Sequence, residues 1–236
     1  SLASNRHMHE YGTTSEQLAE VAVSTRHWAS LNPRASMREP ITIADVLASP
    51  MISSPLHRLD CCLMTDGGGA VVVTSAERAR DLRRPPVYIL GSGFSSTHLV
   101  ISQMKDLTTT GAVDSGRRAF ELAGISRGDI DVVEIYDSFT ISVVIGLEDL
   151  GFCKKGEGGS FVEGGRLGPK GELPTNTSGG GLSHTHPGAL GIFLIIEAVR
   201  QLRGDCADRQ VAGAQVALVH GIGGWLSSHA TLILGR

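Results

Sequence analysis

Between Leu173 and Gly191 the chain reads LPTNTSGGGLSHTHPGALG. The three glycines Gly179, Gly180 and Gly181 allow backbone angles that other residues avoid, so the chain can turn tightly here. The turn delivers Ser183, His184, Thr185 and His186, and Pro187 then opens an apolar run. Proline is pre-organised for the first helical position, so a helix is predicted from Pro187 to about Leu202. A glycine turn that presents two imidazoles at a helix start suits a catalytic site better than a purely structural role.

The surrounding pattern says what kind of fold carries this turn. Thr14 or Ser15 caps a helix whose stripe Leu18, Val21, Ala22, Thr25 and Trp28 runs to about Leu31, where Asn32-Pro33 stops it. Residues 34–58 are broken by Pro and Ser, with a short helix over Ile43–Leu47. Leu59–Met64 reads as extended, Thr65–Gly69 as a turn, Ala70–Thr74 as a buried strand and Ser75–Leu82 as a short helix. Arg83-Arg84-Pro85-Pro86 marks a boundary, giving segments 1–84 and 85–236. After it come a strand from Val87, a helix over Asp114–Gly124, a strand at Ile130–Ile135 and an apolar helix over Phe139–Leu150. A glycine-rich excursion (151–172), the predicted helix to Leu202, a strand at Val216–Val219, a turn at Gly221–Gly224 and a strand at Ser228–Leu234 complete the order. Alternation of this kind predicts an α/β layered fold around a mostly buried sheet.

Composition removes several classes of function. A net charge of −3 over 236 residues offers no general attraction to nucleic acid or anionic membranes. No apolar run nears the length of a membrane-spanning helix, and no signal peptide is apparent. Cys61, Cys62, Cys153 and Cys206 form neither a CxxC pair nor a disulfide framework, so a reducing, cytoplasmic setting is expected. Gly67–Gly69 lack the Lys-Ser/Thr of a phosphate loop. Three histidines, His184, His186 and His220, can in principle bind zinc, but no metal site is expected. His7 and His9 read as surface residues, Asn176 as a turn residue and Cys62 as a small buried thiol. The chain begins with Ser, already within an element, and reads as lacking an N-terminal portion.

Four blocks fall at strand ends or helix starts: Tyr136-Asp137-Ser138-Phe139, Asn176–Gly181, Ser183–Pro187 and His220-Gly221-Ile222-Gly223-Gly224. In this order and spacing the sequence from Ile130 to Arg236 resembles the C-terminal half of a thiolase of the sterol-carrier-protein type. That type has His-Asp-Cys-Phe where this chain has YDSF, Asn-Pro-Ser-Gly-Gly where it has Asn176–Gly180, Gly-His-Pro-x-Gly-Ala-x-Gly against Thr185–Gly191, and Gln-His-Asn-x-Gly against Val219–Gly223. Residues 59–77 look like the passage out of the family's first half.

The resemblance implies a thiolase-like layered αβαβα fold, with the second half complete and the first half partial. It implies chemistry on acyl-coenzyme A, with coenzyme A as a substrate moiety rather than a bound cofactor, and a homodimer. Carried over by motif, His186 is the activating imidazole, His220 the second acid/base and Tyr136 a site residue. Ser183, Gly180, Gly181 and Gly223 line the substrate, with Gly223 near the oxyanion position. A helix start just after His186 would favour its neutral form, which suits proton transfer near neutral pH.

Three departures qualify this: one residue is missing between Pro187 and Gly188, Thr185 replaces a Gly, and Tyr136 replaces Asn or His. The family's nucleophilic cysteine is expected before Ser1. Acyl transfer or thiolytic cleavage is therefore the first expectation. The departures raise a CoA-thioester retro-aldolase, with a zinc-ribbon/OB-fold accessory subunit, as an alternative. A catalytically silent binding subunit is the third.

Overall fold

The computed structural model describes residues 1–236. Helix α1 (Leu2–Tyr11) ends on Gly12 in the left-handed conformation, and α2 (Ser15–Ser30) opens with a reciprocal Thr14–Gln17 capping box. Helix α3 (Ile43–Ala48) and a small hairpin, β1 (Met51–Ser53) and β2 (Leu56–His57), follow, then the short α4 (Ala76–Arg80). The central sheet begins with β3 (Tyr88–Ser96); then come α5 (Ala112–Ala123), β4 (Val132–Ile135), α6 (Thr140–Asp149), the single-turn α7 (Gly158–Phe161), α8 (Gly191–Arg203), β5 (Val216–Gly223) and β6 (Ser228–Gly235).

The sheet order is β3-β6-β5-β4. Strands β4 and β5 are parallel; β5–β6 and β6–β3 are antiparallel. Helix α5 covers β3 and β6, and α8 covers β5 and β4, so the sheet is sandwiched between helices. Two glycines set the first of these distances. A Cβ on Gly91 or Gly93 of β3 would collide with the backbone carbonyls of Ala119 and Ser115 in α5, so only glycine lets the helix lie this close to the strand.

Within the first 62 residues only Ala19, Ala22 and Val46 form a small buried cluster of their own. Leu18, Val21 and Leu56 share one buried cluster with Val133, Ile135, Ile145 and Leu147. A second cluster joins Leu190, Leu194, Ala198 and Leu202 of the α8 region to Val132, Ala217, Val219 and Leu234 of the sheet. The segment break at residues 83–86 thus separates elements along the chain, while the packing crosses it.

Four local expectations change. Residues 70–74 form no strand, and Val72 and Val73 are 90% and 73% exposed; no neighbouring strand takes their backbone hydrogen bonds, and apolar sequence alone cannot supply a ladder. The helix expected from Pro187 starts at Gly191, because Gly188 at φ 79° breaks the path between them. Strand β5 runs through Gly221 to Gly223, so the turn lies at residues 224–227. His7 is fully buried: its Nε2 donates to the Glu148 carboxylate at 3.0 Å and Nδ1 meets Thr13 Oγ1 at 2.8 Å, which ties α1 to α6.

Candidate active site

Strand β4 ends at Ile135, and the next four residues, Tyr136–Phe139, lead into α6. Three segments converge on this strand end. The glycine turn 179–184 wraps beneath it, the loop 185–190 passes beside it, and residues 61–65 cross over both. That crossing strap is fixed by backbone bonds: Cys62 N–H donates to Ser138 O at 3.0 Å and Leu63 N–H to Gly181 O at 2.9 Å. Thr65 completes it, with Oγ1 2.7 Å from Thr185 Oγ1 and accepting from His186 N–H at 2.9 Å. The threonine that replaces the family's Gly before the histidine is therefore half of a Thr–Thr clasp on the strap.

Asp137 organises the turn. Its side chain is completely buried, Oδ1 accepting from Gly181 N–H at 2.7 Å and Oδ2 from Leu182 N–H at 3.2 Å. Burial outweighs these bonds and pushes the carboxyl up to about 7. Gly180 sits at φ 52°, and a Cβ there would run into the Asp137 carboxylate. Glycine at 180 is thus required twice, by backbone angle and by space. The sequence carries one signal for this role of Asp137, a lone acid at a strand end facing a run of glycines, whose N–H groups are natural carboxylate donors.

His186 is half-buried beside this carboxylate turn. Its ring meets Tyr136 edge-on, with centroids 5.3 Å apart and planes at 88°. A Cβ on Gly181 would stand 3.0 Å from His186 Cδ2, so that glycine makes room for the ring. Burial holds the imidazole below its ordinary value, and its Nε2 is buried without any hydrogen-bond partner. The cause that favours the neutral form is desolvation; no helix begins at Pro187 to supply a positive end. Tyr136 Oη donates to Gly188 O at 3.3 Å, and burial raises its hydroxyl, which stays protonated.

Tyr136 opens onto a cavity of about 520 Å³. Phe139, Ile141, Ile222, Trp225 and Leu226 give it a mainly apolar wall; Ser138 and Gly223 add polar and backbone surface. Ser183, Gly180 and Gly181 do not line it. Ser183 is buried, its Oγ accepting from Arg26 Nε at 2.8 Å, and the two glycines face the Asp137 carboxylate. These three support the site from behind and leave no surface for a substrate. His184 is turned away too, among the charges of Arg34, Arg200 and Arg209.

His220, expected as the second acid/base, is completely buried inside the sheet. Nδ1 meets Thr231 Oγ1 at 2.9 Å and Nε2 meets His229 Nδ1 at 3.2 Å; His229 Nε2 reaches Leu226 O at 3.1 Å. A carbonyl only accepts, so His229 carries its proton on Nε2, His220 donates from Nε2, and Thr231 donates to His220. Ser115 Oγ, 2.9 Å from Thr231 Oγ1, supplies the remaining donor. Burial first, then the neighbouring His229, takes His220 down to about 3. Both nitrogens are engaged and His220 does not line the cavity, so in this structure it stands as a fixed strut. It holds His229, which holds the carbonyl of Leu226 at φ 59° in the cavity wall.

Under the Asn176–Ser178 turn lies a second buried polar layer. Asn176 Oδ1 accepts from Ile135 N–H at 2.8 Å, and Thr177 links Glu134 to Glu197, which Arg209 clamps with two bonds of 2.8 and 3.0 Å. Burial, with Glu197 nearby, raises Glu134 well above the ordinary carboxylate range. Asn176 is therefore a buried brace for β4. No group of three or more His, Cys, Asp or Glu side chains is arranged to hold a metal ion.

Residues 93–236 match the family described as thiolase C-terminal domain-like. The chain belongs to the thiolase family. It is 42% identical to the acetyl-CoA acetyltransferase of Methanothermobacter thermautotrophicus, in an alignment covering 100% of this chain and 62% of that protein. It is 40% identical to the steroid side-chain-cleaving aldolase of Thermomonospora curvata, covering 94% of this chain and 58% of that one. Among solved structures, the Ltp2-ChsH2(DUF35) aldolase superposes with a TM-score of 0.91 at 39% identity, covering 100% of this chain and 62% of that one. The thiolase-like layered fold expected from the motifs is thereby established. The chain spans about three-fifths of the length of these relatives, and none of its helices is long and apolar enough to cross a membrane.

Proposed function

We propose that the protein is an enzyme that breaks a carbon–carbon bond of a 3-hydroxyacyl-CoA by a retro-aldol reaction. The observation that carries this reading is the Tyr136–His186 pair: a protonated phenol edge-on to a neutral imidazole with an unpartnered Nε2. The reaction needs one base and one acid, and the pair supplies them. His186 Nε2 takes the proton of the substrate's β-hydroxyl. The Cα–Cβ bond breaks, the hydroxyl carbon leaves as a carbonyl compound, and the electron pair passes to the thioester as an enolate. Tyr136 returns a proton to the α-carbon and regains one from the His186 imidazolium. The mainly apolar wall of the cavity suits a bulky apolar group on the carbonyl fragment.

The thiol next to the site, Cys62, is pushed up to about 11, by burial first and by Asp137 next, so Cys62 itself does not serve as an acyl-accepting thiolate at neutral pH. The relatives called a steroid side-chain-cleaving aldolase and a 17-hydroxy-3-oxo-4-pregnene-20-carboxyl-CoA lyase support cleavage. The acetyl-CoA acetyltransferase relative keeps thiolytic acyl transfer as the second reading. The similar aldolase structure names a DUF35 component, which supports an accessory subunit here as part of the proposal. A homodimer and a cytoplasmic setting, with coenzyme A as substrate moiety and no resident cofactor, complete it.

The test is incubation of the complete protein with a 3-hydroxyacyl-CoA carrying a bulky apolar β-substituent, read by mass spectrometry. The expected result is a carbonyl product and a shortened acyl-CoA, with no mass added to the protein. A covalent acyl adduct moves the assignment to acyl transfer. Binding without turnover, with the accessory subunit present, makes the protein a silent subunit.

A further inference from the structure

Away from the cavity, where α2 and α8 both end, a polar pocket of about 340 Å³ collects four arginines: Arg34, Arg84, Arg200 and Arg209. In a chain with a net charge of −3 this is a local concentration of positive charge. Two of the four are neutralised, Arg84 by Asp205 and Arg209 by Glu197. The side chains of Arg34 and Arg200 make no hydrogen bond or ion pair within the protein; for Arg34 only the backbone N–H is used, donating to Asn32 Oδ1 at 3.1 Å. Four guanidinium charges against two carboxylates leave two positive charges uncompensated in one pocket.

Attraction of arginine to a helix C-terminus explains part of this placement but leaves those two guanidiniums unused. Two of the final carbonyls of α8 are already taken, Gly204 N–H donating to Gln201 O and Asp205 N–H to Arg200 O, and Arg203 Nε donates to Pro85 O. The pocket wall is also tied down by hydrogen bonds. Asn32, which fixes the backbone of Arg34, is buried and donates from Nδ2 to Ser178 O at 2.7 Å. Arg209 is buried as well. Burial first holds the nearby imidazole of His184 below its ordinary value; Glu197 opposes the shift, and Arg209, Arg200 and Arg34 add to it.

Forked guanidiniums match the oxygens of a phosphoryl group, which carries enough negative charge to answer two of them. We propose that this pocket is a binding site for a phosphoryl anion, gripped by Arg34 and Arg200 with Arg84 and Arg209 in its wall. The site is independent of the reaction proposed above.

The test is titration of the complete protein with inorganic phosphate and, separately, with adenosine 3′,5′-bisphosphate, followed by calorimetry and by the rise in melting temperature that binding to the folded state produces. The expected result is saturable one-to-one binding in the millimolar range or tighter, weakening as sodium chloride is added. The double variant Arg34→Gln/Arg200→Gln loses at least about tenfold in affinity. Arg117→Gln, on α5 and paired with Glu121, binds as the parent does. Tighter binding of the bisphosphate assigns the site to a nucleotide phosphate and equal binding to the free anion; both uphold it. No saturable binding of either probe, or undiminished binding by a double variant that melts cooperatively, overturns it.

Discussion

The chain has two histidine motifs that look alike in sequence and behave in opposite ways in the fold. His186 sits in an irregular loop, half-buried, with a free Nε2 beside a tyrosine. His220 sits in the middle of a sheet with both nitrogens bonded. Both are neutral, and in both burial is the first cause, so a lowered pKa does not separate them. What separates them is vacancy: a group can exchange protons with a substrate only if one of its nitrogens is not already committed.

The largest expected effect comes from removing the vacant group. His186→Ala in the complete protein lowers turnover by about 10²- to 10⁴-fold while the melting temperature changes little. Steady-state kinetics with circular dichroism decides this, and normal turnover breaks the comparison.

Next is the carboxyl beneath it. Asp137 titrates at about 7 in the folded protein against an ordinary 3.8. The folded state therefore holds this proton more tightly than the unfolded chain does. Its stabilising contribution is full below about pH 4 and is lost as pH rises to about 7, by an amount on the order of 4 kcal/mol. Denaturant melts between those pH values, compared with Asp137→Asn, read this slope; an equal slope in the variant removes the assignment.

The engaged histidine follows. His220→Ala leaves Thr231 and His229 without partners and costs about 1–3 kcal/mol of stability, with turnover within about tenfold of the parent because no reacting group is lost. Loss of turnover on the scale of His186→Ala would return His220 to the catalytic set. The smallest effect tests the strap. Thr185→Val removes one half of the Thr65–Thr185 clasp and costs about 1 kcal/mol, seen as a small drop in the denaturant midpoint. Thr65→Val costs more, because His186 N–H also loses its acceptor.

The order of motifs was readable because each block keeps a local signature: a glycine run, an HP pair, an acid at a strand end. The helices over 15–30, 112–123 and 140–149 were readable for the same reason, through caps and apolar stripes. The strand at Ala70–Thr74 was misread because apolar sequence promises a strand only where a neighbouring strand receives it. The role of Ser183 was misread because its partner, Arg26, lies 157 residues away. Asp137 escaped notice because its importance comes from two N–H groups more than 40 residues downstream.

By itself, then, the sequence determined the family, the α/β layering and the loop that brings His186 to the strand end, since these follow from local backbone chemistry and spacing. Only the tertiary structure decided which histidine is free to act, why it is neutral, and that the Gly180–Ser183 turn braces the site. Those properties depend on burial and on hydrogen-bond partners from distant segments, and neither exists until the chain has folded.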